Sequence, residues 1–185
     1  MENELYFLRS SEQYLTKELL VYAARLDESD EGLENYPELE QYERNFGAYS
    51  GDIGVYMISD KKVSGAAWVR ILANGYGNID DNTPELVFAV KPEYRNQGIG
   101  TAIMQQLLVE VSKVFSQMSL SVRETNPVIS LYERLGFEKV EGSEHKNNAG
   151  THSFTMLKVF EASSVIKEEV HPEEECFKKS FRLRD

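Results

Sequence analysis

Apolar residues along the chain recur with two periods, and the switch from one period to the other predicts the elements. Residues 5–8 have the length of a short first strand. Tyr14, Leu15, Leu19, Tyr22 and Leu26 then repeat at helical spacing behind Ser10 and Ser11, either of which suits an N-cap. Residues 27–43 break the pattern; the first part reads as a loop and residues 37–46 as a second short helix opened by Pro37. Residues 52–59 and 63–71 are strand-like runs joined by Asp60-Lys61-Lys62, a hairpin, and the Gly- and Asn-rich residues 74–83 form a loop. The apolar run Glu85-Leu86-Val87-Phe88-Ala89-Val90 stops at Lys91-Pro92-Glu93-Tyr94. Ile99, Ile103, Leu107, Val111 and Val114 then mark a long helix ending near Phe115.

Beyond it, residues 118–122 alternate like a strand, and Asn126-Pro127 offers a cap and a first helical residue for a short helix closed by Gly136. Residues 137–141 and 153–160 complete the strands, joined by a polar loop over 142–150. Strands and helices alternate through the middle while hairpins lie at the ends, so an α/β (α+β) domain over 1–160 is expected, a mixed sheet flanked by helices. Residues 161–185 read as a C-terminal helical extension, with Glu173, Glu174 and Glu175 leading and Lys178, Lys179, Arg182 and Arg184 trailing, the polarity a helix dipole favours.

Composition narrows the function. A chain of 185 residues with one cysteine, Cys176, has no internal disulfide, and no apolar stretch reaches membrane-spanning length. The start Met-Glu-Asn-Glu-Leu lacks a secretory pattern, so a soluble cytoplasmic protein is expected, without a membrane partner. A net charge of -11 without clustered Lys and Arg argues against nucleic acid. His145, His152 and His171 lack metal-ligand spacing with one another or with Cys176, so no metal is expected.

The candidate chemistry centres on Gly98-Ile99-Gly100. Glycines at a helix start let a ligand approach the free N–H groups of the first turn, a setting that suits phosphate. A dinucleotide fingerprint would need glycine where Ile103 stands, and a Walker loop would need Gly-Lys-Ser/Thr; both are absent.

Arg95-x-x-Gly98-x-Gly100, followed by a strand, then Asn126-Pro127 and Leu131-Tyr132-Glu133-Arg134-Leu135-Gly136-Phe137, resembles the GNAT superfamily of acyl-CoA-dependent N-acetyltransferases. The resemblance covers about residues 50–160. It implies a mixed, mostly antiparallel sheet and acetyl-CoA as co-substrate, with the backbone of Phe88, Ala89 and Val90 pairing with the pantetheine arm. Backbone amides of Arg95, Asn96, Gln97, Gly98, Ile99, Gly100 and Thr101 would cradle the pyrophosphate. Asn126 would bond the arm near its reactive end, and Tyr132 would place its hydroxyl by the thioester sulfur as a catalytic acid. Glu85, on the central strand, is the base the resemblance suggests. A non-catalytic acyl-CoA sensor of the same fold is the alternative.

The acceptor is a small-molecule amine or a protein lysine or N-terminus, and the oligomeric state, a homodimer included, stays open. The superfamily places the segment after the first helix beside the acceptor. Here that segment, residues 27–43, holds eight acidic residues and no Lys or Arg; it either steers a cationic substrate or is a solvated loop. Trp68, Tyr14, Tyr22 and Tyr36 are expected as core or surface aromatics rather than pocket walls.

Overall fold

The structure, a computed structural model, describes residues 2–146 and 150–161 and the backbone of 179–181. Its strands are β1 (Asn3–Phe7), β2 (Ile53–Ser59), β3 (Lys62–Arg70), β4 (Glu85–Val90), β5 (Gln117–Arg123), β6 (Glu138–Lys139), β7 (His145–Lys146), β8 (His152–Val159) and β9 (Lys179–Phe181). The helices are α1 (Tyr14–Ala23), α2 (Ile99–Ser112) and α3 (Ile129–Arg134). One sheet runs in the order β6-β8-β5-β4-β3-β2-β1-β9, with β7 beside β8. Every pairing is antiparallel except that of β4 with β5. Among the described residues no helix is long and apolar enough to cross a membrane.

The sheet's two faces follow from strand alternation. Val55, Met57, Ala67, Val69 and Leu86 point to one face, where Ile99, Ile103, Met104, Leu107 and Val111 of α2 cover them. Ala66, Trp68, Val87 and Ala89 point to the other, beneath Leu15 and Leu19 of α1 and Tyr42 and Phe46 of the segment after it. Fully burying one such leucine contributes about 1.5–3 kcal/mol, so each helix is held mainly by its apolar stripe.

Several boundaries differ from the sequence reading for local reasons. Neither Ser10 nor Ser11 caps α1; residues 10–12 form a 3-10 turn closed by Glu12 accepting from the Arg9 N–H at 3.1 Å. Leu26 lies beyond α1, because Arg25 adopts a left-handed φ of 59° that ends the helix. Residues 37–42 are helical but of the 3-10 kind. Val114 falls past the end of α2 and is 61 % exposed. α3 starts two residues after Pro127, with the Asn126 side chain accepting from the Val128 N–H at 3.1 Å. Most of the expected C-terminal helix lies outside the described residues, as do His171 and Cys176. At 179–181 the chain is instead a strand, antiparallel to β1, where it pairs an edge that would otherwise stand open.

The β2–β3 hairpin turns on Asp60 and Lys61, both at positive φ, 48° and 68°. That is the two-residue turn whose twist matches the strands, and it costs a non-glycine residue about 1–2 kcal/mol. Lys61→Gly is therefore expected to stabilise the fold by about 1 kcal/mol, read from the urea midpoint; an unchanged or lower midpoint would contradict this account of the turn.

Candidate active site

β4 and β5 share one parallel register pair, Glu85 with Ser119, and then part. The gap opens a cavity of about 720 Å³. Phe88, Ala89 and Val90 wall one side, and Leu120, Ser121, Val122 and Arg123 the other. Strands that part this way leave backbone donors and acceptors facing the gap, a template for an extended ligand. Arg95, Asn96, Gly98, Gly100 and Thr101 border the same cavity at the start of α2. Gly98 stands at φ 78° as the residue before the helix, and a Cβ on Gly100 would lie 2.9 Å from the Phe88 ring. Backbone N–H groups of the first turn are thus free to meet an anion.

Two residues of this loop can offer backbone only. Gln97 turns its amide to the Glu93 carbonyl at 2.9 Å, and Ile99 is wholly in the core. Arg95 donates Nε–H to the Val90 carbonyl at 3.0 Å and sits 3.6 Å from Asp27. Open strand edges, apolar side walls and a helix start make a donor set suited to an apolar arm ending in phosphates, so the residues present fit CoA.

Glu85 occupies the vertex of the gap. It is 3 % exposed and faces the same side of the sheet as Trp68 and Val87. Oε1 accepts from the Tyr42 hydroxyl and from the Gly77 N–H, each at 2.9 Å, while Oε2 is buried without a partner. A Cβ on Gly75 would collide with Oε2, so that glycine provides the room the carboxylate occupies. Burial raises the carboxyl to about 7 against the lowering effect of the two donors. Tyr42 in turn accepts from the Tyr76 N–H at 2.7 Å, and its carbonyl accepts from the Trp68 indole at 2.8 Å.

Tyr132 reaches the cavity from α3. It packs edge-on to Phe88 and against Phe137, and burial alone pushes its phenol above the ordinary tyrosine value. Asn126 borders the cavity too. Its Oδ1 is taken by the Val128 N–H, which leaves the amide NH₂ as the group a ligand can use.

The remaining wall departs from the sequence reading. Tyr22 and Tyr36 line the cavity, contrary to their expected place as core or surface aromatics; Trp68 is core and Tyr14 is 63 % exposed. Of the acidic run, Glu28 and Glu38 line the cavity, while Asp27 turns to Arg95. Tyr42, Tyr76 and His145, the last stacked parallel to Tyr76 at 6.4 Å, also border it and carried no signal in the sequence. They come from three separate segments, the 3-10 helix at 37–42, the loop between β3 and β4 and the short strand β7, whose meeting is decided by packing. Among the described residues no group of three His, Cys, Asp or Glu could hold a metal ion.

A family profile described as Acetyltransferase (GNAT) domain matches residues 51–139. An N-alpha-acetyltransferase from Sulfurisphaera tokodaii is 30 % identical over 164 residues, a match covering 76 % of this chain and 92 % of that protein. The chain belongs to the GNAT N-acetyltransferase family. Solved GNAT structures share the fold. The ribosomal-protein-S18-alanine N-acetyltransferase from Escherichia coli superposes with a TM-score of 0.60 at 17 % identity, covering 90 % of this chain and 99 % of that one. The Paia N-acetyltransferase from Thermoplasma acidophilum, solved in complex with coenzyme A, gives 0.58 at 17 % identity over 86 % of this chain and 100 % of that one.

CoA is expected to raise the thermal midpoint of this GNAT chain, since a ligand bound only by the folded state stabilises it. Gly100→Asp brings a carboxylate to the anion site and presses on Phe88, so the shift should vanish in a thermal melt with and without CoA. A variant that responds as the parent does would move the phosphate site elsewhere.

Proposed function

We propose that the cavity binds acetyl-CoA and passes its acetyl group directly to the α-amine of a protein N-terminus, in a ternary complex and with no covalent enzyme intermediate. The observation that carries this reading is the Glu85 carboxyl, buried in the cavity wall with Oε2 unbonded and raised to about 7. A thioester supplies an activated acetyl carbon; its C–S bond breaks as the C–N bond forms. Glu85 takes the proton the ammonium must lose. An α-ammonium of pKa about 7.7–8.0 lies close to such a carboxylate and gives the proton up at little cost, whereas a lysine ammonium of about 10.4 lies far above it. The match of donor and acceptor therefore favours the α-amine. The names of the Sulfurisphaera and Escherichia coli relatives, which both specify N-terminal or alanine acetylation, support the same choice.

Tyr132 serves the leaving sulfur. At reference values full proton transfer from a phenol to a thiolate is uphill by about 2 kcal/mol, and burial makes this phenol a weaker acid still. It works by donating a hydrogen bond to the developing thiolate, which takes up the second proton that the nitrogen sheds as the C–S bond breaks. Phe88, Ala89 and Val90 would hold the pantetheine arm through their open edge, the Asn126 amide would bond it near the reactive end, and the amides from Arg95 to Thr101 would hold the pyrophosphate. Glu28 is compensated by a bidentate pair with Arg25, so of the acidic run Glu38 is the cavity carboxylate that favours a chain with a basic residue behind its first position.

Steady-state rates on peptides with a free N-terminus should rise as the pH passes about 7, because Glu85 is the active carboxylate only above that value. Glu85→Gln should lower kcat/KM by about 10²- to 10⁴-fold and leave only the limb set by the substrate α-amine at about 7.7–8.0. Equal turnover of a peptide whose N-terminus is blocked and whose lysine is free would refute the α-amine as acceptor. A second measurement concerns Tyr132→Phe: CoA affinity should be kept while kcat falls by about 10²-fold or more. An unchanged kcat would make Tyr132 a packing residue.

A further inference from the structure

Arg70 and Glu85 are register partners across β3 and β4. Residues directly opposed in an antiparallel pair share a face, with Cβ atoms about 4.5–5.5 Å apart, so an ion pair between them is the expected outcome. The structure shows another arrangement. The guanidinium turns away to Asp52, just before β2, donating Nε–H and Nη2–H to its two carboxylate oxygens at 3.2 and 3.0 Å. Nη1 donates to the carbonyls of Gln41 and Arg44 at 3.0 and 2.8 Å. Both side chains are buried, 4 % and 1 % exposed.

Glu85 is thereby left with neutral donors only, the Tyr42 hydroxyl and the Gly77 N–H. The groups packed around it are Tyr42 from the 3-10 helix at 37–42, Tyr76 from the loop before β4, Ser119 on β5, and Arg70 on β3 with Asp52 behind it. Farther out, His145 stacks on the Tyr76 ring and Glu38 accepts from the Tyr76 hydroxyl. Among these described groups Arg70 is the one permanent cation, and all four of its bonds lead away from Glu85.

We infer that Asp52 is a positioning residue for acetyl transfer: by capturing the Arg70 guanidinium it keeps the Glu85 carboxyl free of a counter-charge and able to carry a proton. The inference rests on the base role proposed for Glu85. A cation beside a carboxylate lowers its pKa by roughly 1–3 units, which would leave Glu85 too weak a base for an ammonium. Asp52 cancels that charge within a bidentate pair. Gly47 N–H donates to the same carboxylate at 2.9 Å, which fixes it from the far side.

The test is a carbon-13 titration of the Glu85 carboxyl, assigned with Glu85→Gln, alongside the pH profile of kcat/KM. In Asp52→Asn the Glu85 midpoint should fall by about one pH unit or more, and the acidic limb of the profile should move down with it. In the charge-neutral double variant Asp52→Asn with Arg70→Gln, the midpoint should return to the parent value. The double variant also loses the Arg70 bonds to two buried carbonyls, so both variants are titrated in sucrose, which strengthens burial and keeps a weakened fold together. A midpoint unmoved in Asp52→Asn would overturn the inference, since the guanidinium would then act on Glu85 no more without Asp52 than with it; a midpoint that rises by a unit in the double variant would overturn it too, since Arg70 would then act on Glu85 even with Asp52 present. The carboxyl titration judges the pair independently of activity; full activity in Glu85→Gln would sink the base role alone.

Discussion

A single parallel register pair holds the two halves of this sheet together. Glu85 and Ser119 meet once, tied by the Ser119 N–H to the Pro84 carbonyl at 3.0 Å, and α2 carries the chain from one strand to the other. Parallel strands need such a crossover, and the helix that makes it must start close to the end of β4. The same constraint therefore sets three features at once. The strands part and open the cavity, the first turn of α2 sits at its border, and the residue at the vertex, Glu85, is buried beside the space a ligand would fill.

The face of the sheet carrying Glu85 is closed by residues 37–46, which lack regular helix and are held by side chains of the sheet itself. Trp68 donates to the Tyr42 carbonyl, Arg70 to those of Gln41 and Arg44, and Tyr42 bonds Glu85 and the loop at Tyr76. All of these except the Tyr42–Glu85 bond satisfy a backbone group that would otherwise cost about 1–3 kcal/mol when buried. Breaking the Arg70–Asp52 pair by removing one partner would cost about 3–5 kcal/mol, so this anchor is strong as well as specific. At the C-terminal end of α1, Arg123 of β5 reaches across the gap to the Ala24 carbonyl at 3.2 Å, and Asp27 pairs with Arg95. The segment that follows α1 thus ties β5 to the loop at Arg95, two borders of the same cavity.

Local pattern carried much of this protein. The strand run at 85–90, the glycines before α2, the spacing of Ile99, Ile103, Leu107 and Val111, and the hairpin turn at Asp60-Lys61 are each decided by neighbours a few residues away. Side-chain periodicity and the permitted φ of a turn are local properties, so the sequence alone determined these elements, the mixed sheet and the two motifs that resemble the GNAT family. Tertiary structure decided the rest. Tyr42, Tyr76 and His145 lie in a 3-10 helix, a loop and a two-residue strand without any spacing that marks them, and they meet because each satisfies a hydrogen bond or a ring contact with the next. Arg70 could pair with Glu85 or with Asp52, and the sequence holds no sign of the choice. That choice depends on carbonyls at 41 and 44 reaching the same guanidinium, a matter of which long-range groups packing brings within 3 Å.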